Sequence, residues 1–200
     1  MKLYYSPGAC SLAVHIALLE TGKPFTLDRA DLRAKTTESG GDFRAVSPRG
    51  AVPVLVLDDG AVLTEGVAIM QYVADSLTPG ALPAAGTLGR ARLQEALNYI
   101  ATEIHKTYSP LFRPISDEGK AEQLALLDTR LQVIEDRLAD GRAFLTGADY
   151  TIADGYLFTT TNWSKVLGHD LSAFPNLLAL RKRIAARPAV QAALKAEGLA

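Results

Sequence analysis

Strand-like patterning in this chain stops near residue 63, and every periodic segment after it is helical. Residues 2–5 are short and β-rich, Phe25 to Ala30 alternates, and Val52 to Leu57 is apolar enough for a buried strand. Asp58-Asp59-Gly60 then reads as a hairpin turn into Ala61-Val62-Leu63. Between the first two strands, Leu12, His15, Ile16 and Leu19 recur at helical spacing, and a short helix ends near Val46. A further helix begins at Thr64, whose hydroxyl can cap it, with Val67, Ile69, Met70, Tyr72, Val73 and Leu77 as its apolar face. The predicted order is βαβ, helix, ββ hairpin, helix: an α/β N-terminal domain over residues 1–78.

Thr78 to Gly89 holds two prolines and three glycines and contains the linker, placed at 79–86. Residues 87–200 are predicted to form an all-helical domain. Its helices run from Thr87 to about Leu111, Asp117 to Ala139, Ile152 to Leu167, Leu177 to Ala186, and from Ala189 onward. Thr151-Ile152-Ala153-Asp154 has capping-box form, which starts a buried helix with its donors satisfied.

Lys plus Arg total 21 against 22 for Asp plus Glu, so no global field attracts nucleic acid or an anionic membrane. No apolar run approaches the roughly 20 residues that span a bilayer, and the start of the chain leads into a strand pattern, which makes the cytoplasm the expected location. The one cysteine excludes an intrachain disulfide framework and a thiolate metal cluster. His15, His105 and His169 lack metal-ligand spacing, and no Walker loop or dinucleotide fingerprint occurs, so no metal and no permanently bound cofactor are expected.

Three features carry chemistry. Tyr4-Tyr5-Ser6-Pro7-Gly8-Ala9-Cys10-Ser11 puts the cysteine where a strand turns into a helix, near unpaired N–H groups and the positive end of the helix dipole, a place that favours a thiolate. A lone cysteine is by base rate an inert small hydrophobe; its position argues for more. Ala51-Val52-Pro53-Val54 opens an apolar strand with a proline, either as an ordinary trans strand start or as a cis bond that leaves the Val52 backbone ready to pair with an extended peptide. Leu63-Thr64-Glu65-Gly66-Val67 starts a helix whose first N–H groups suit a carboxylate while Glu65 suits an ammonium; plain capping explains the same residues.

The ordered set Tyr5, Cys10, Val52-Pro53 and Thr64-Glu65-Gly66 resembles the N-terminal domain of cytosolic glutathione transferases, and the cysteine makes it similar to the bacterial beta class. The resemblance continues through Leu97 to Lys106, Pro110-Leu111-Phe112, Thr151 to Asp154 and Arg187-Pro188-Ala189-Val190. It implies a thioredoxin-like domain with a mixed four-stranded sheet followed by an all-α domain. It also implies glutathione as co-substrate, transfer to small hydrophobic electrophiles in detoxification, and a homodimer. Cys10 then lies near the glutathione sulfur, Lys35 takes the glycine carboxylate, Val52 and Pro53 offer backbone to the cysteinyl part, and Glu65 with Gly66 holds the γ-glutamyl end. Asn98, Thr102 and His105 fall at i, i+4 and i+7 on one helical face with Glu103 beside them, and in the similar enzymes this stretch partly serves the neighbouring subunit. Two departures stand out: Gly66, where other classes carry serine, and Ala13, where dithiol oxidoreductases carry a resolving cysteine.

A thiol of pKa ~8.5 is about 3% thiolate at pH 7, and lowering it to ~6.5 takes about 2.7 kcal/mol, which one charged hydrogen bond plus a helix end supplies. The candidate catalytic donors are the Cys10 and Ser11 backbone N–H groups, the Ser11 and Tyr5 hydroxyls, and His105. Two chemistries remain for Cys10: assisting the glutathione thiolate in conjugation, or forming a mixed disulfide. The same scaffold also serves disulfide reductases, dehalogenases, isomerases and non-catalytic interaction modules. Phe112, Trp163 and Lys165 are weighed as electrophile contacts and read as structural.

Overall fold

The structure is a computed structural model and describes residues 1–200. It divides into two compact units, Met1–Ala81 together with Arg187–Ala200, and Leu82–Ala186.

In the first unit, β1 (Lys2–Tyr5), β2 (Thr26–Asp31), β3 (Thr36–Thr37), β4 (Val54–Val56) and β5 (Val62–Thr64) form one sheet in the order β3-β2-β1-β4-β5. β1 pairs parallel with β2, and the remaining pairings are antiparallel. The sheet is mixed as expected but has five strands, because Thr36 and Thr37 add a two-residue edge that is too short to show alternation in the sequence. On one face Tyr4, Ala30, Val52 and Val54 pack with Phe43 of the short helix α2 (Phe43–Val46). Leu3 and Tyr5 alternate to the other face, where α1 (Ser11–Glu20) lies buried from Ser11 to Leu18. Burial on every side explains why α1 has no polar stripe: it contacts β1, α3 (Gly66–Leu77) and α9 (Pro188–Ala196). The buried face of α3 is Ile69, Met70, Val73 and Ala74, whereas Tyr72, read from the sequence as part of that face, is exposed.

The C-terminal residues 187–200 belong to this first unit, although helical periodicity placed them with the helical domain. Periodicity marks an apolar face and does not name its partner. Here Arg187 clasps Glu20 at the end of α1 through Nε and Nη2 at 2.7 and 2.8 Å.

The second unit contains α4 (Leu88–Tyr99), a π-helical stretch (Ile100–His105), α5 (Lys106–Tyr108), a 3-10 turn (Ser109–Phe112), α6 (Asp117–Leu138), α7 (Ile152–Leu167) and α8 (Pro175–Ala185). α7 is its buried axis. Its threonines 159, 160 and 161 satisfy their hydroxyls on the carbonyls of Gly155, Tyr156 and Leu157. The capping box forms: the buried Asp154 carboxylate accepts from the backbone N–H of Thr151 at 2.8 Å and of Leu145 at 2.7 Å, and from the Thr151 hydroxyl at 3.1 Å. Buried Glu135 of α6 accepts the N–H groups of Asn176 and Leu177 and so caps α8 across helices. No helix is long and apolar enough to cross a membrane.

Candidate functional site

The turn after β1 is pinned from several directions. Ala9 N–H donates to the Ser6 carbonyl at 3.0 Å, and the Ser11 hydroxyl both accepts from Ser6 N–H at 3.1 Å and donates to the Ser6 carbonyl at 3.2 Å. Gly8 adopts φ +71°, a conformation that glycine enters without penalty, and its N–H donates to Glu197 Oε2 at 2.8 Å. The other Glu197 oxygen lies 2.9 Å from Nδ1 of His15, and both side chains are buried. The C-terminal segment therefore reaches the loop that presents Cys10.

Cys10 is the residue before the first turn of α1, and its thiol donates to the Val52 carbonyl at 3.3 Å. Burial pushes the thiol up to about 11. The Cys10 and Ser11 backbone N–H groups pull the other way, and the Glu65 carboxylate adds to the rise. This direction opposes the resting thiolate expected from the helix start, at a residue whose surface is partly buried. One expected donor is committed elsewhere, and another is aimed along α1. Ser11 spends its hydroxyl on Ser6. Tyr5 turns toward the middle of α1, its ring 6.1 Å from that of His15, and its phenol is raised by burial and then by Glu197 and Glu38.

The Val52–Pro53 peptide bond is cis. Lys35, at φ +61°, extends its side chain along Gly50 and donates from Nζ to the Gly50 carbonyl at 2.8 Å. Thr64 ends β5, so the residue before α3 is Glu65, not Thr64. Glu65 sits at φ +68°, a strained position for a residue with a side chain, and pairs with Arg49. Gly66 is the first residue of α3, packed near Pro53.

The second unit rearranges the expected helical face. Asn98 and Thr102 are exposed, with the Thr102 hydroxyl on the Asn98 carbonyl at 3.0 Å. Glu103 Oε2 lies 3.1 Å from Arg130 Nε as an ion pair, without the alignment of a hydrogen bond. His105 turns inward, with Nδ1 2.8 Å from the Tyr156 hydroxyl and its ring 4.9 Å from Trp163. The i, i+7 reading fails because Ile100–His105 is π-helical, and each residue there advances less than the ~100° of an α-helix. Phe112, about half exposed, stands edge-on to Trp163 at 5.6 Å, and Tyr108 does so from beneath at 5.6 Å.

Sequence reasoning did not find Arg49, Gly50, Tyr156 or Glu197, whose roles depend on contacts across 15 to 189 residues. No group of three His, Cys, Asp or Glu side chains converges as a metal site.

A sequence profile of the glutathione S-transferase N-terminal domain matches residues 8–76, and one of the C-terminal domain matches residues 99–188. Glutathione S-transferase GstA of Escherichia coli O157:H7 is 50% identical over 201 residues, covering 100% of each chain. A beta-class glutathione S-transferase structure from Sphingomonas chungbukensis superposes with TM-score 0.95 at 46% identity, and a sphingomonad enzyme complexed with glutathione does so with TM-score 0.94 at 48%, each covering 100% of both chains. Its two matched domains, the thioredoxin-like sheet that presents Cys10 beside Val52, and the full-length relatives together show that the chain belongs to the glutathione S-transferase family.

Proposed function

We propose that this glutathione transferase joins the glutathione thiol to small hydrophobic electrophiles, with Cys10 acting as a protonated hydrogen-bond donor. The observation that carries the reading is the 3.3 Å contact between Cys10 Sγ and the Val52 carbonyl. An extended tripeptide that pairs with the Val52 backbone takes the place of Cys10 on that carbonyl, which frees the one S–H of Cys10 to donate to the peptide's central sulfur. Lys35 suits the glycine carboxylate, while the Gly66 N–H at the start of α3 and the Glu65 carboxylate suit the zwitterionic γ-glutamyl end. Because burial keeps the proton on Cys10, the bound peptide's thiol is the more acidic of the two and becomes the nucleophile. Its sulfur forms a bond to the electrophilic carbon, the leaving group departs with its electron pair, and the thiol proton passes to solvent.

The same raised thiol disfavours the mixed-disulfide alternative, which needs a Cys10 thiolate. The half-exposed Phe112 against Trp163 offers the second unit's aromatic surface for the electrophile. Exposure of Asn98 and Thr102 supports a homodimer in which this face serves a partner's site. A detoxifying role in the cytoplasm follows from the same reading.

Purified protein should bind glutathione and conjugate a generic aryl halide. Cys10→Ala should lower kcat/KM for conjugation by about 10- to 100-fold, the loss of one hydrogen bond to an anion. Failure of the wild type in both assays, or unchanged conjugation in Cys10→Ala, overturns the corresponding part of the proposal. Light scattering that finds only monomers removes the dimer.

A further inference from the structure

A histidine-centred chain in the second unit has no part in the glutathione site. His169 follows Gly168, the left-handed residue that ends α7. Its Nε2 lies 2.7 Å from Asp128 Oδ1 on α6, and its Nδ1 lies 3.1 Å from Ser164 Oγ on α7. Ser164 Oγ is in turn 2.5 Å from the Tyr108 hydroxyl on α5. Acid, imidazole and serine in this order have the composition of an acyl-transfer triad. Here Ser164 and Tyr108 are buried and the serine meets a phenol, so no carbonyl substrate has room to approach.

Donor and acceptor accounting gives the chain one direction. With Asp128 accepting from Nε2–H, an imidazole that carries one proton accepts at Nδ1, and Ser164 then donates to it and accepts from Tyr108. Burial lifts the Tyr108 phenol to about 12, so the donated proton stays on it. The end of the chain bears on Trp163 twice. The Tyr108 ring packs edge-on to Trp163, and Ser164 is its neighbour in sequence on α7. Trp163 in turn carries His105 and the half-exposed Phe112 on its ring.

We propose that Asp128, His169, Ser164 and Tyr108 form a positioning chain that fixes the seat of Trp163 and thereby sets affinity for the hydrophobic electrophile while leaving glutathione affinity alone. The electrophile half of this inference rests on the reading of the Phe112–Trp163 surface given above. None of the four is a catalytic residue; each acts through the tryptophan.

Trp163 is the chain's one tryptophan, so its emission reports on this seat directly. Tyr108→Phe keeps the ring and removes the link, and Ser164→Ala breaks the chain one step further on. Both variants of the full chain should shift Trp163 emission. Both should also raise KM for an aryl halide about three- to tenfold at unchanged KM for glutathione, and the double variant should do little more than either single one. Unchanged emission in Tyr108→Phe overturns the proposal, as does an equal rise in both KM values, the mark of general loosening. Absence of aryl halide turnover in the wild type defeats the electrophile reading, and with it the affinity half of this inference. The positioning half is then decided by emission alone.

Discussion

His15 and His169 are each held by a carboxylate, yet they stabilise different kinds of structure. His15 and Glu197 end on a backbone N–H, that of Gly8 in the turn before Cys10. His169 and Asp128 end on side chains, the Ser164 hydroxyl and through it Tyr108 beneath Trp163. The contrast extends to the units around them. In the first, the groups proposed for glutathione are element ends and main-chain atoms: the start of α1, the Val52 carbonyl, the first turn of α3. In the second, the groups proposed for the electrophile are rings that pack on one another. Backbone presentation tolerates change in nearby side chains, whereas ring presentation transmits it.

The largest effect expected from this contrast lies in the second unit. Asp154 accepts three hydrogen bonds while buried, and Asp154→Ala leaves two backbone donors unpaired. A loss of about 3–5 kcal/mol is expected in denaturant unfolding of the full chain. A loss under ~1 kcal/mol would show that the unit does not depend on this cap.

Next in size is the reactivity of Cys10. With its thiol raised to about 11, the free protein at neutral pH should react with iodoacetamide on the order of a hundredfold more slowly than free cysteine, and the rate should climb as pH approaches that value. The linked stability has a definite sign. The native chain holds this proton more tightly than the unfolded one, so stability is fully present below the ordinary thiol range and falls as pH rises from about 9 to about 11. Fast alkylation at pH 7 would return Cys10 to the thiolate first read from its helix-start position.

A smaller change tests the charge at the edge of the first unit. Lys35→Met keeps length and removes the cation, so KM for glutathione should rise about tenfold, the lower end of a charge-assisted hydrogen bond, with kcat nearly unchanged. Loss of kcat at constant KM would place Lys35 outside the glycine end of the ligand.

The same contrast explains what the sequence disclosed. The places of Cys10, Val52-Pro53 and Gly66 at element starts were legible because breaks between elements are local and marked by proline, glycine and a change of period. The capping box at Thr151 and Asp154 was legible for the same reason. Glu197 was not, since nothing near it in the chain points to Gly8 at 189 residues' distance. His105 was read onto one face with Asn98 and Thr102, and the π-helical turn rotates it away from them. The Cys10 thiol departs from its sequence reading for an energetic reason: the helix start is visible in sequence, and the burial that opposes it is not.

The finest test is a substitution that adds two heavy atoms to the backbone-built site. Gly66 has no positive φ, and a Cβ there would sit 3.6 Å from Pro53 Cγ, an ordinary contact. Gly66→Ser should therefore fold without rearrangement and gain about 0.5–1 kcal/mol, since serine constrains the unfolded chain more than glycine does. If the γ-glutamyl carboxylate docks at the start of α3, the new hydroxyl adds one solvent-screened hydrogen bond, about 0.5–1 kcal/mol net, and KM for glutathione should fall by roughly two- to fivefold. Stability that rises while KM stays fixed would separate the helix start from the ligand and leave Glu65, strained at φ +68° and paired with Arg49, as the group that holds that end of the peptide.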